Sequence, residues 1–162
     1  SNKINSLSTE EIANIVLNYI IISNLVEKFY YVHYKLNEKI CLPYELDLSD
    51  IEFEVRGWKA EFKNEIRDLS EITGLRYLRE LETLDLSNNL LEDLKELIYL
   101  KKLKNLILTN NRLNKAENIK YIQSLPNLRY LVLEGNALIN KLKKGEFNTE
   151  IQLRLAKTSY FY

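Results

Sequence analysis

Catalysis by acid, base or nucleophile needs several such groups converging on one point, and this chain has one histidine, His33, and one cysteine, Cys41. His33 sits among Phe29, Tyr30, Tyr31 and Tyr34, the setting of a hydrogen-bonded packing histidine rather than of a general base. A single thiol forms no internal disulfide, and one His with one Cys makes no zinc cluster. The sequence contains no glycine-rich phosphate loop, and its carboxylates are scattered at positions that suit a solvated face. The expectation is therefore a non-enzyme with no catalytic residue, no metal and no cofactor. The side chains that do recur at a regular spacing are Asn89, Asn111 and Asn136, with steps of 22 and 25 residues. Their chemistry is structural. An asparagine amide both donates and accepts hydrogen bonds, so at a turn it satisfies backbone groups that the turn leaves without partners.

The elements that would position these asparagines are written around them. The stretch "LETLDLSNNLLEDL" (81–94) places leucines at a spacing that suits neither a helix nor a strand throughout. Its pattern L-x-x-L-x-L-x-x-N-x-L returns as "LKNLILTNNRL" (103–113) and "LRYLVLEGNAL" (128–138). L-x-L predicts a short strand with both leucines in the core, and the asparagine then turns the chain. The return segment "LLEDLKELIYLKKL" has leucine or isoleucine about every third residue, which suits a helical or 3₁₀ arc with one face inward. Upstream, "NEIRDLSEITGLRYLREL" continues the triplets, and Asn64 lies 25 residues before Asn89. This reads as a degenerate first repeat whose strand is "WKAEFKN", with Trp58, Ala60 and Phe62 displaced one place from the template. The expected structural ladder is Asn64, Asn89, Asn111 and Asn136.

A period of 20 to 29 residues with this pattern resembles the leucine-rich repeats of the SDS22-like class over about residues 64–140. The resemblance implies an α/β fold: a leucine-rich repeat solenoid with a parallel β-sheet. A stack of repeats exposes apolar ends, so the flanks are expected to be caps. Residues 1–49 read as a helical N-terminal cap of one or two helices, opening on the capping box Ser8-x-x-Glu11. Residues 50–63 read as a hairpin leading into the sheet, from the alternation Ile51, Phe53, Val55 and Trp58, Ala60, Phe62 around Arg56-Gly57. Residues 141–162 read as a short C-terminal cap in which Ile151, Leu153 and Leu155 favour a strand, a helix being the alternative. The closing "SYFY" either completes the core or marks a fragment, and Ser1-Asn2 reads as a scar or a processing product.

Composition narrows the class. With 46% hydrophobic and 28% charged residues the chain is expected to be a soluble globular domain. Four glycines and two prolines leave turn formation to Asn, Asp and Ser. The uncharged run Ile12–Val26 is short for a span of ~20 residues and is interrupted by Asn14, Asn18, Ser23 and Asn24, so a buried helix is expected and no membrane role. The absence of an N-x-[ST] acceptor favours an intracellular protein, cytoplasmic or nuclear.

The repeat also makes one surface readable, because residues flanking L-x-L point away from the core onto the concave sheet face. Three rows result: Thr83, Asn105, Tyr130; Asp85, Ile107, Val132; and Ser87, Thr109, Glu134. Apolar Ile107 and Val132 beside Tyr130 suggest the centre of a partner-binding patch, with Asp85 and Glu134 setting register. The alternative is that β-branched residues merely suit strands, or that a cap folds over them. Charge gives a second signal: residues 1–94 hold 10 basic and 18 acidic side chains, a net −8, whereas residues 95–162 hold 13 and 5, a net +8. Lys101, Lys102, Lys104, Lys141, Lys143 and Lys144, with Arg112 and Lys115, could form an anion-binding edge, or simply be solvated and attracted to the acidic half. The leading expectation is a protein-protein interaction module, a leucine-rich repeat adaptor or scaffold binding a protein or peptide. The alternative is an RNA- or ribonucleoprotein-associated adaptor, by analogy with similar repeats in a spliceosomal U2 particle component and messenger-RNA export factors. Nucleic acid ranks second because the concave rows hold no Lys or Arg and one aromatic. No oligomeric state is assigned.

Overall fold

A long apolar segment opens the chain, and it is helical. In the computed structural model of the protein, which describes residues 6–147 and 150–155, helix α1 spans Thr9–Lys28. The Ser8 side chain accepts from the Glu11 amide at 3.1 Å, and Glu10 and Glu11 lie at the positive end of the helix dipole. α1 buries Asn18, Ile21, Ile22 and Leu25. Asn18 is satisfied inside its own helix, donating to the Asn14 carbonyl at 2.8 Å. The helix packs on the arc that follows the first repeat: Lys28 Nζ donates to the Glu71 carbonyl at 2.6 Å, and Ile21 touches Gly74.

Six strands then form one sheet. They are β1 (His33–Leu36), β2 (Pro43–Asp47), and, beyond a separate hairpin of β3 (Ile51–Val55) and β4 (Trp58–Phe62), β5 (Thr83–Asp85), β6 (Asn105–Ile107), β7 (Tyr130–Val132) and β8 (Gln152–Arg154). The order is β1-β2-β5-β6-β7-β8; β1 runs antiparallel to β2 and every later pairing is parallel. The parallel strands stack in strict register, Leu46, Leu84, Leu106, Leu131 and Leu153 falling in one column. A second column follows each strand: the amides of Leu48, Leu86, Leu108 and Leu133 each donate at 2.9 Å to the carbonyl one strand further on. All of these leucines except Leu153, which is partly buried against them, form one buried cluster along the stack with the arc residues Leu69, Leu94, Leu97, Leu100 and Ile122. The parallel sheet and leucine-rich stack expected from the spacing are present.

The arcs differ with repeat length. The 22-residue unit returns through a 3₁₀ segment, Lys95–Tyr99, whereas the next, three residues longer, accommodates the two-turn helix α2 (Glu117–Gln123). Asn118 in α2 is buried and joins the two arcs, donating to the Glu92 carbonyl at 3.0 Å and accepting from the Leu94 amide at 2.9 Å.

Two expectations need correction. The first repeat strand is not "WKAEFKN" but β2, and residues 1–49 therefore supply two strands of the sheet as well as a helix. The hairpin 50–63 does not lead into the sheet: β3 and β4 pair antiparallel with each other and form a separate two-stranded sheet. The physical reason is an insertion. Leu46-Asp47-Leu48-Ser49-Asp50 occupies the place of Leu84-Asp85-Leu86-Ser87-Asn88, and the hairpin interrupts the unit immediately before its asparagine, Asn64. Asp50 bridges the gap: one carboxylate oxygen accepts from the amides of Asn64 and Glu65. Burial raises the pKa of Asp50, and these two hydrogen bonds oppose that shift. At the other end, Ile151, Leu153 and Leu155 belong to β8 and its flanks and are partly buried against the core. The closing "SYFY" lies outside the described residues.

Candidate partner-binding face

The asparagines hold the edge of the sheet rigid. Asn89 donates to the carbonyls of Leu48 (3.0 Å) and Leu86 (3.1 Å) and accepts from the Ile66 amide (2.9 Å). Asn111 repeats this with Leu86, Leu108 and the Leu91 amide, and Asn136 with Leu108, Leu133 and the Leu113 amide. Asn64 makes the first rung, donating to Tyr31 and Leu48 carbonyls and accepting from the Tyr31 amide. Each side chain thus ties its own turn to the preceding layer, using both functions of the amide in a site with little water. Before each of the last three asparagines the chain passes through the left-handed region, at Asn88 (φ 59°), Asn110 (φ 52°) and Gly135 (φ 76°).

Away from the core the strands present their alternate residues. The register places Glu45, Thr83, Asn105, Tyr130 and Gln152 in one row and Asp47, Asp85, Ile107, Val132 and Arg154 in the next. Rows expected to be three residues long are therefore five, and Glu45 and Asp47 were missed because the first strand was misplaced. Asn105 Nδ2 donates to Thr83 Oγ1 at 2.9 Å, linking neighbouring strands. The turn residues Ser87, Thr109 and Glu134 follow in sequence, with Thr109 Oγ1 donating to Glu134 Oε1 at 3.4 Å. Glu134 Oε2 is buried and makes no hydrogen bond within the described residues.

Val132 requires a correction. It is 4% exposed, so it cannot offer a contact surface in the free protein. The reason is its place in the row: β8 continues the sheet beyond it and sets Arg154 beside it, with Ile107 on the other side. Ile107, Tyr130 and Asp85 are half-buried and reachable. The middle row thus passes from two carboxylates, through an apolar centre, to a guanidinium.

Asp47 and Asp85 stand opposite each other on adjacent strands. Burial raises the Asp85 pKa; hydrogen bonds from the Ser87 hydroxyl (2.6 Å) and amide (2.9 Å) oppose this, and the Asp47 charge adds to it. Tyr31 Oη lies 3.5 Å from Asp47, and burial followed by the Asp47 charge raises the tyrosine pKa. His33 is exposed in β1, opposite Asp47. Among the described residues no three His, Cys, Asp or Glu side chains cluster to hold a metal ion.

The six lysines expected at one edge fall in two stretches of the chain. Lys101, Lys102 and Lys104 immediately precede β6, whereas Lys141, Lys143 and Lys144 lie in and after the 3₁₀ turn Ala137–Lys141 that follows β7. Lys102 bonds Glu80 at 2.6 Å and Lys104 pairs with Glu82, so two of the six are neutralised by the preceding repeat. Lys101 instead lines a cleft of about 550 Å³ with Arg76, Tyr77, Arg79, Tyr99 and Lys102. There Arg76 stacks 4.1 Å from the Tyr99 ring centre and pairs with Glu96 at 3.0 Å.

A family model described as leucine-rich repeat matches residues 44–155, from within β2 to just past β8. The chain belongs to the leucine-rich repeat family. Domains of this family are in general protein-interaction modules without catalytic function. No curated protein matches the chain. Among solved structures, internalin C2 from Listeria monocytogenes is 26% identical over 51% of this chain and 34% of its own, with a TM-score of 0.41. A second internalin (inlF) from the same organism is 20% identical over 87% of this chain and 36% of its own, with a TM-score of 0.47. The chain spans about a third of the length of each. Among the described residues, no helix of this leucine-rich repeat protein is long and apolar enough to cross a membrane.

Proposed function

We propose that this leucine-rich repeat protein is a non-catalytic adaptor that binds a protein or peptide segment across the outer face of its sheet. One observation carries the reading: the strand register lines up carboxylates, an apolar centre and a guanidinium on a face that the asparagine ladder and leucine core hold fixed. A surface already ordered loses little conformational freedom on binding, so its contacts convert into affinity. Tyr130 and Ile107 form the centre, while Asp85, Asp47 and Glu134 set register at the margins. Thr83, Ser87, Asn105 and Thr109 supply short polar contacts. The 22-residue unit with a 3₁₀ arc suits the SDS22-like class. An exposed free thiol, Cys41, suits a reducing intracellular compartment.

The RNA-associated alternative has weaker support. Two of its six lysines are held by carboxylates, and the remaining four occupy two separate parts of the repeat unit. The test uses the full chain as bait in three forms: wild type, Tyr130→Ala, and Lys141, Lys143 and Lys144 each changed to Glu. Retention of a protein partner by wild type and the lysine variant, with loss from Tyr130→Ala, supports the sheet-face reading. A partner lost only from the lysine variant, or an RNA released by salt, moves the site to the basic surface.

A further inference from the structure

Among the described residues, neither the hairpin nor the free edge of the main sheet has a further strand partner, and the two match each other. In the hairpin, Ile51 pairs with Phe62, Phe53 with Ala60 and Val55 with Trp58, so one face is wholly apolar. Trp58 is 81% exposed and Val55 56%, and Phe53 and Phe62 stack at 5.5 Å while remaining open to solvent. A lone two-stranded ribbon is at best marginally stable in water, so a face of this kind needs something to cover it. Among the described residues, β3 has one strand neighbour, and its outer edge is free.

β1 has the complementary features. It is the first strand of the main sheet, exposed along its whole length, and its outer edge has no strand neighbour among the described residues. Beside it, between β1 and α1, runs an apolar groove of about 460 Å³ lined by Ile15, Tyr19, Ile22, Val26, Tyr34 and Leu36. Tyr34 and Leu36 face this groove, on the side of Leu46, whereas His33 and Lys35 point to the opposite face beside Asp47 and Glu45.

We infer that the hairpin of one copy adds to the β1 edge of a second copy, the two copies exchanging this contact to form a dimer. The sequence of β3, Ile51-Glu52-Phe53-Glu54-Val55, alternates in phase with β1, His33-Tyr34-Lys35-Leu36. With Phe53 set opposite Tyr34, the apolar residues of β3 fall on the groove side, and Glu52 and Glu54 fall opposite His33 and Lys35. The match holds for either strand direction, because both sequences alternate with period two. Charge then alternates across the extended sheet: a glutamate of the second copy, Lys35, and Glu45, which lies 3.4 Å from Lys35. The opposite arrangement, β1 against β1, would bring the cationic sides of two edge strands together, and the hairpin avoids that conflict. Main-chain hydrogen bonds supply affinity in strand addition, while alternate side chains supply specificity.

The experiment is sedimentation equilibrium of the full chain over a wide concentration range, with two charge-reversed variants. One is Glu52→Lys with Glu54→Lys; the other is His33→Glu with Lys35→Glu. All four side chains are solvent-accessible, and a melting curve for each variant checks that it remains folded. Wild type is expected at twice the monomer mass of 19.2 kDa, and each variant alone to dimerise about tenfold more weakly or worse. Mixing the two variants is expected to restore the dimer, because each hairpin then meets an edge of opposite charge. A wild-type chain that stays monomeric at about 100 μM, within the range of weak but specific association, overturns the inference. So does a dimer indifferent to both reversals, or one that the mixture fails to restore.

Discussion

Of the four glycines, Gly135 has the least room for a side chain. Its φ of 76° disfavours any side chain, and an added Cβ would lie 1.9 Å from Asn110 Oδ1. Gly135→Ala is expected to lower the unfolding free energy by about 1–3 kcal/mol in urea. Gly57 has a similar φ of 81° but open space around it, so Gly57→Ala is expected to lose about 1 kcal/mol or less. Asn111 is constrained by hydrogen bonding instead. Its loss in Asn111→Ala leaves the buried Leu91 amide without its acceptor and removes one of two asparagine donors from each of the Leu86 and Leu108 carbonyls, which keep Asn89 and Asn136, an expected loss of about 1–3 kcal/mol. Asp85 has the opposite sign. Its folded-state pKa is raised, chiefly by burial, so the fold holds the proton more tightly than the unfolded chain does. The stability this group contributes is present below its unfolded pKa and is lost as pH rises through the folded value. Asp85→Asn is therefore expected to melt higher than wild type at pH 7, with the difference shrinking as pH falls toward 4.

At the scale of elements, the hairpin is an insertion that the repeat does not need. Leu48-Ser49-Asp50 followed directly by Asn64-Glu65-Ile66 would reproduce the spacing of Leu86-Ser87-Asn88-Asn89-Leu90-Leu91. Compared at a concentration low enough for the full chain to be monomeric, deletion of residues 51–63 is therefore expected to leave the melting temperature within a few degrees of wild type, roughly 1 kcal/mol for a chain of this size. A collapse of folding would show instead that the hairpin supports the first repeat. This insertion also explains what was legible in the sequence. β5, β6 and β7 were readable because nothing interrupts the spacing between their leucines and asparagines. β2 was hidden although "LDLSD" at 46–50 nearly repeats "LDLSN" at 84–88, because its asparagine stands 14 residues beyond Asp50. A search at fixed period locks onto Asn64 and takes the alternating residues just before it as the strand. Glu45 and Asp47 were lost from the candidate face with it. The burial of Val132 was not legible either, since it depends on β8 setting Arg154 beside it, and the alternation of Ile151, Leu153 and Leu155 favours a strand without saying which strand it pairs with.

The whole molecule is a stack, and its stability is set by how its layers and ends are closed. Leu106 lies at 0% exposure in the middle layer, flanked by Leu84 and Leu131 in register, so neither neighbour can move in to fill a void. Leu106→Ala is expected to lose about 2–5 kcal/mol by denaturant unfolding. The N-terminal end is closed by α1 together with β1 and β2. Ile21, Ile22 and Leu25 of the helix join the same buried cluster as Ile72, Leu75 and Leu78 of the first arc, and Leu46 and Leu48 cover Leu84 and Leu86. A chain beginning at Asp50 loses both coverings at once. It uncovers one side of β5 as an open sheet edge and also strips the apolar arc beside it, while Asn89 loses the Leu48 carbonyl. Because each layer gains stability from its neighbours, the defect is not confined to the end: the exposed first layer unfolds, and the next layer then becomes the end. The truncated chain is expected to aggregate or to show no cooperative melting transition, as read by light scattering and circular dichroism. A truncated chain that stays monomeric and melts at the temperature of the full protein would mean that the repeats from β5 onward need no cap.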